Sequence, residues 1–161
     1  MNWLGAFLLV GATYFLGTRL SDTEREKIKT LESLIAFLTY MRRKMVYERT
    51  PLYEIFSHFS EPYLEKCRFL PCLRSHCRDL GILWSKAADR LDVDSQMSGE
   101  LKYFGESLGR LPLDEQIKRL DSCLEALKNE RDTLQKQLPS KQKSIKTVCL
   151  LFGLMTAIIL L

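Results

Sequence analysis

The chain has 161 residues, 24 Lys and Arg against 20 Asp and Glu, and 46% hydrophobic residues. Every charged side chain lies between Arg19 and Lys146, so uncharged stretches of 18 and 15 residues stand at the two ends. That distribution excludes a simple soluble enzyme, a disordered acidic chain and a multi-span transporter, and it fits a charged body held to a membrane at both ends.

In chain order, residues 1–18 come first as an expected transmembrane anchor. As a helix they span about 27 Å, close to the ~30 Å hydrocarbon thickness of a bilayer. Trp3 and Tyr14 are aromatics of the kind that settle at headgroups. A signal peptide needs a basic n-region and an A-x-A-like site, and neither is written here. The expected cytoplasmic body follows over residues 19–143. Ser21-Asp22-Thr23-Glu24 reads as a capping box opening a long amphipathic helix. Its apolar stripe is Ile28, Leu31, Leu34, Ile35, Leu38, Met41 and Met45. Arg42-Arg43-Lys44 reads as a solvated helix end where cations complement the dipole. Thr50-Pro51-Leu52 then reads as a tight corner, with Thr50 as N-cap and Pro51 at the first helical position.

Short amphipathic pieces follow near Leu52–Phe59, Tyr63–Leu80 and Ile82–Leu91, punctuated by Pro62 and Gly81, with Pro71 a break or kink. After a loop at Asp92–Ser95 a helix carries Leu101, Phe104 and Leu108 on one face, and Gly109 is placed to cap it. Gly105 stands beside that apolar face, where a missing Cβ would admit a neighbouring helix, with Phe104 and Leu108 packed around the contact. The last cytoplasmic helix has a heptad seam of Ile117, Leu120, Leu124, Leu127, Arg131, Leu134 and Leu138. The seam leaves a homo-oligomer open beside an ordinary bundle. Pro139 is expected to interrupt that helix. The fold class is all-α, an antiparallel bundle of about six helices between two terminal membrane helices.

Residues 144–161 form the expected C-terminal anchor. Cys149, Gly153 and Ala157 stand four apart, a small-residue stripe suited to close membrane-helix packing, with a weaker counterpart at Thr13 and Gly17. The stretch from Thr133 to Lys146 has four lysines and no acid, which suits anionic lipid headgroups. Lys and Arg crowd the inner flanks of both anchors, so the positive-inside rule puts the body in the cytoplasm and both termini outside.

No chemistry stands out. Cys67, Cys72 and Cys77 are spaced by five and cannot share one helix face. Cys72 and His76 are four apart, but zinc needs three or four ligands and the other histidine is His58, so we expect no metal and reduced thiols. No Walker loop, nucleophile elbow or zincin motif occurs, and neither a cofactor, nucleic acid nor catalysis is expected.

The layout resembles the stage III sporulation protein AB family of endospore-forming bacteria. The residues that carry the resemblance are Glu48-Arg49-Thr50-Pro51-Leu52 and Phe104-Gly105-Glu106-Ser107-Leu108-Gly109, the latter followed by the Leu-rich helix. The resemblance implies a part in the stage III channel complex between mother cell and forespore, in the mother-cell membrane around the forespore. It implies a soluble domain similar to the helical cytoplasmic domains of the platform protein of type II secretion and type IV pilus systems. The implied partners are other channel proteins, a companion cytoplasmic secretion-type ATPase and membrane lipid. A holin-like pore former is the competing class, though its soluble part is usually small, and a membrane-bound enzyme comes third.

Overall fold

A computed structural model describes residues 25–75 and 79–159. Among them the fold is all-α, with seven helices where about six are expected from the sequence. The contacts divide the chain into a body, Lys29–Arg131, and a second unit to which residues 25–28 and 132–159 belong. The expected anchor over 1–18, the capping box at Ser21–Glu24, Thr13 and Gly17, and His76 and Cys77 lie outside the described residues.

Helix α1 covers residues 25–43 and ends in a π-turn, Lys44–Glu48. Its seam is buried: Ile28, Leu31, Leu34, Leu38, Met41 and Met45 are all inside, with Ile35 half-buried and Phe37 fully enclosed. At its end Arg43 is exposed and Arg42 is half-buried, with a partner. Its Nε and its Nη2 both donate to Asp121 of the last helix, at 2.5 and 3.2 Å, while Lys44 pairs with Glu48 one turn on. The π-turn closes on Arg49, whose φ of 49° is left-handed and whose N–H donates to the Lys44 carbonyl.

The corner to α2, Leu52–His58, is shifted one residue from the expected cap. Pro51 (φ −58°, ψ 141°) holds the N-cap position and no side chain caps the helix. Thr50 instead sends its backbone N–H to the Lys44 carbonyl at 3.3 Å. Proline fits there because it has no N–H to satisfy and its φ is already fixed. The far end of α2 is closed by Arg74, which donates to the carbonyls of Phe56 (3.1 Å) and Phe59 (2.6 Å).

The piece expected at Tyr63–Leu80 is two short helices, α3 (Pro62–Lys66) and α4 (Phe69–Leu73). Arg68, with φ 59°, makes the break. Pro71 breaks nothing. It is the third residue of α4, inside the first turn, where its missing N–H would have no helical partner. Gly81 likewise lies inside a helix, α5 (Leu80–Ala88), whose N-cap Asp79 accepts from the N–H groups of Gly81 and Ile82. Burial pushes the Asp79 carboxyl up, but the hydrogen bond from Arg110 and those from Ile82 and Gly81 outweigh it and hold it below the ordinary range. The stability this carboxylate contributes is present above its ordinary pKa and lost as pH falls through the lowered one.

Helix α6 is Ser95–Ser107. Its Gly99 is exposed in mid-helix, and an added Cβ there would meet nothing within 4 Å. Gly99→Ala is therefore expected to stabilise the fold by about 0.5–1 kcal/mol, read as a higher thermal midpoint; a lower one would contradict this.

Helix α7 runs from Leu113 to Ile159 with Pro139 inside it, so the expected interruption does not occur. Proline costs the one bond to the carbonyl of Gln135, four residues back, and the turns on either side remain intact. Within the body its seam buries Leu120, Cys123, Leu124 and Leu127, with Ile117 and Arg131 half-buried. Among the described residues no helix is long and apolar enough to cross a membrane.

Candidate functional site

Two of the residues singled out from the sequence, Phe104 and Gly105, meet an indole that was not. Trp84 of α5 is fully buried and its Nε1 donates to the Leu101 carbonyl of α6 at 2.8 Å. Around it stand Phe37 of α1, stacked at 6.1 Å and 18°, and Phe69 of α4, edge-on at 5.5 Å. Phe56 of α2 lies at 6.4 Å and Phe104 of α6 at 5.2 Å, edge-on. Four helices thus meet one ring, and the stacked and edge-on pairs are of the kind that adds about 0.5–1.5 kcal/mol beyond burial, while Phe56 is tilted at 42°.

Gly105 makes the approach of α6 to α5 possible. A Cβ placed on it would lie 2.8 Å from Trp84 Cγ and 3.1 Å from Trp84 Cβ, closer than side-chain carbons pack. Opposite, a Cβ on Gly81 would come within 3.3 Å of the Gly105 carbonyl oxygen. The two glycines face each other across the helix crossing. Leu108 is buried as the C-cap of α6, and Gly109 follows with φ 73°, the left-handed turn that a Cβ would strain. Just beyond it, Arg110 pairs with Asp79 at 2.5 Å, joining the end of α6 to the cap of α5. Ser107 turns its buried hydroxyl back to the Phe104 carbonyl.

The Thr50-Pro51-Leu52 corner contributes through α2. Thr50 and Leu52 are half-buried and Pro51 is exposed, and the helix they start carries Phe56 to Trp84. Of the two stretches, Phe104–Gly109 meets the aromatic centre directly, through Phe104 and Gly105, and Thr50–Leu52 precedes the helix that carries Phe56 to it. Sequence reasoning missed Trp84, Phe37 and Phe69; only the indole N–H, which seeks a partner when buried, would have signalled one of them. Cys149, Gly153 and Ala157 fall on α7, and their packing lies outside the described residues.

The cysteines have different surroundings. Cys67 and Cys72 are half-buried, and the Cys72 Sγ lies 3.9 Å from the Leu83 carbonyl. Cys123 is buried, and burial, with a smaller contribution from Glu100, pushes its thiol up to about 12. The neutral thiol is the form that fits: the stability it contributes is intact below the ordinary value of 9.0 and is lost as pH rises from there toward about 12. Near pH 8, Cys123 is expected to resist alkylation until denaturant is added, as read by peptide mass mapping; rapid labelling of the folded chain would contradict its burial. Among the described residues no group of three or more His, Cys, Asp or Glu could hold a metal. A shallow groove of about 490 Å³ lies between α1 and α7, lined by Thr39, Arg42, Asp121, Leu124, Glu125 and Lys128.

Packing, not reactive groups, organises this centre, and the class it defines is an all-α helical-bundle protein built on a glycine-mediated helix crossing. Residues 2–161 match the family described as Stage III sporulation protein AB, and the chain belongs to it. It is 28% identical to stage III sporulation protein AB of Bacillus subtilis (strain 168), an alignment covering 100% of this chain and 99% of that relative. No solved structure matches.

Proposed function

We propose that the protein is a membrane-anchored, non-catalytic assembly component of the stage III sporulation channel, a platform that couples a companion cytoplasmic ATPase to the membrane assembly. The observation that carries this reading is the family match over residues 2–161, joined to uncharged stretches at both ends of a charged helical body. In this reading residues 1–18 and 144–161 anchor the chain in the mother-cell membrane around the forespore, with both termini outside and the bundle in the cytoplasm. The Lys and Arg placed just inside both ends support that orientation. The aromatic centre gives the bundle one fixed shape, as a platform requires, and its outer helix faces are left to meet the partners.

Deleting the gene in its endospore-forming host is expected to stall development after engulfment; normal spore yield would overturn the reading. The topology has its own check. A cysteine placed at Asp94, exposed at the N-cap of α6, should escape a membrane-impermeant thiol reagent in intact cells. Strong labelling there would place the body on the wrong side.

A further inference from the structure

The second unit carries a lysine-bearing turn of helix followed directly by bare apolar surface. Lys136 and Lys143 are both exposed on α7; Asp132 stands four residues before Lys136, whereas no acid lies within four residues of Lys143 in either direction. Because α7 continues through Pro139, these lysines belong to the same helix as the apolar residues beyond. Val148, Leu151 and Met155 follow at spacings of three and four on one face, and they are 53%, 55% and 65% exposed. Apolar side chains so exposed need a covering, and the charge next to them indicates which one.

We infer that this segment of α7 binds anionic lipid headgroups, with Lys143 among the contacts. The inference rests on the anchoring proposed above. Lys143 is five residues from Val148, about 7.5 Å along the axis, which is the depth of a headgroup layer beside the ~30 Å hydrocarbon core. Its four-carbon stem runs along the helix while the ammonium reaches the phosphates. Lys136 stands about 18 Å from Val148, beyond the headgroups and near one Debye length from the charged surface. An acidic protein would satisfy the lysines but leaves the apolar face that follows unexplained. A lipid surface accounts for both.

The test uses the full chain in lipid nanodiscs, made either of phosphatidylcholine alone or with roughly 30% phosphatidylglycerol, where each lysine near the surface gains about fivefold in contact. A neutral amine-acylating reagent is added and modification is read by mass spectrometry, with exposed Lys66 and Lys118 as internal controls. Lys143 is expected to react about fivefold more slowly in the anionic discs. Lys136 should slow less and the controls not at all, and about 1 M salt, with a screening length of ~3 Å, should erase the difference. Equal reactivity of Lys143 in both discs, with the chain incorporated, overturns the headgroup contact, leaves the anchoring standing and turns attention to an acidic protein partner. Uniform slowing of all four lysines overturns it as well. A chain that enters neither disc overturns the anchoring and this inference together.

Discussion

Gly105→Leu is expected to be the most damaging single change in the body, lowering stability by about 3 kcal/mol or more, at or beyond the upper end of ordinary overpacking. The reason is specific. The new Cβ would fall on the Trp84 ring, and that ring has nowhere to go, with Phe37, Phe56, Phe69 and Phe104 packed around it. In a domain of this size such a loss moves the thermal midpoint by roughly 15 °C. Cys72→Ser is the control. Cys72 is half-buried, so a hydroxyl in place of its thiol keeps access to water and little volume is lost, and a change under about 1 kcal/mol is expected. The comparison is a pair of thermal melts followed by circular dichroism. If Gly105→Leu melts beside the parent, the helix crossing described here is wrong.

The second large effect is expected at the indole itself. Trp84→Ala removes the ring that four helices share and the hydrogen bond to Leu101, and should cost about 3–5 kcal/mol. Its diagnostic value lies in combination. In the parent, Gly105→Ala places a methyl group against the ring and destabilises. In the Trp84→Ala background the ring carbons are gone and only the Cβ of residue 84 remains close, at 3.1 Å, so the same substitution should cost much less than in the parent, helix propensity offsetting part of what remains. A double-mutant cycle is expected to give a coupling of about 2–3 kcal/mol. Additive effects would mean that the two residues do not constrain each other.

What the sequence made legible follows helix length. The stripe on α1 and the seam on α7 run through several turns, so their periods could be read, and the residues they named are mostly buried. The first stripe missed Phe37 because it adjoins Leu38 on a wider apolar face than a strict three-and-four spacing selects. Between residues 52 and 73 the helices are seven, five and five residues long, too short for a period to show. Their boundary at Arg68 is a left-handed arginine, which carries none of the glycine signal that marks such a turn. Pro71 and Pro139 misled for opposite reasons: one sits where no bond is lost, and the other loses a single bond in a helix long enough to survive it. Gly105 drew attention because a glycine beside Phe104 on an apolar face asks for a close neighbour. That neighbour, Trp84, could not be read, since its partners are spread from residue 37 to residue 104 and meet only in the fold.

The brevity of α2, α3 and α4 bears on how the body folds. An isolated helix needs about 12–15 residues before propagation repays the cost of its first turn, and these have seven, five and five. None can persist as a local nucleus. Each buries a side chain in the core, Phe56, Leu64 or Phe69, and the rings that Phe56 and Phe69 meet lie far along the chain. Nucleation in this region is thus a tertiary event, and removing one participant withdraws support from all. The amide protons of α2 to α4 should accordingly exchange with solvent together and only through opening of the whole body, with no separate slow or fast class among the three helices.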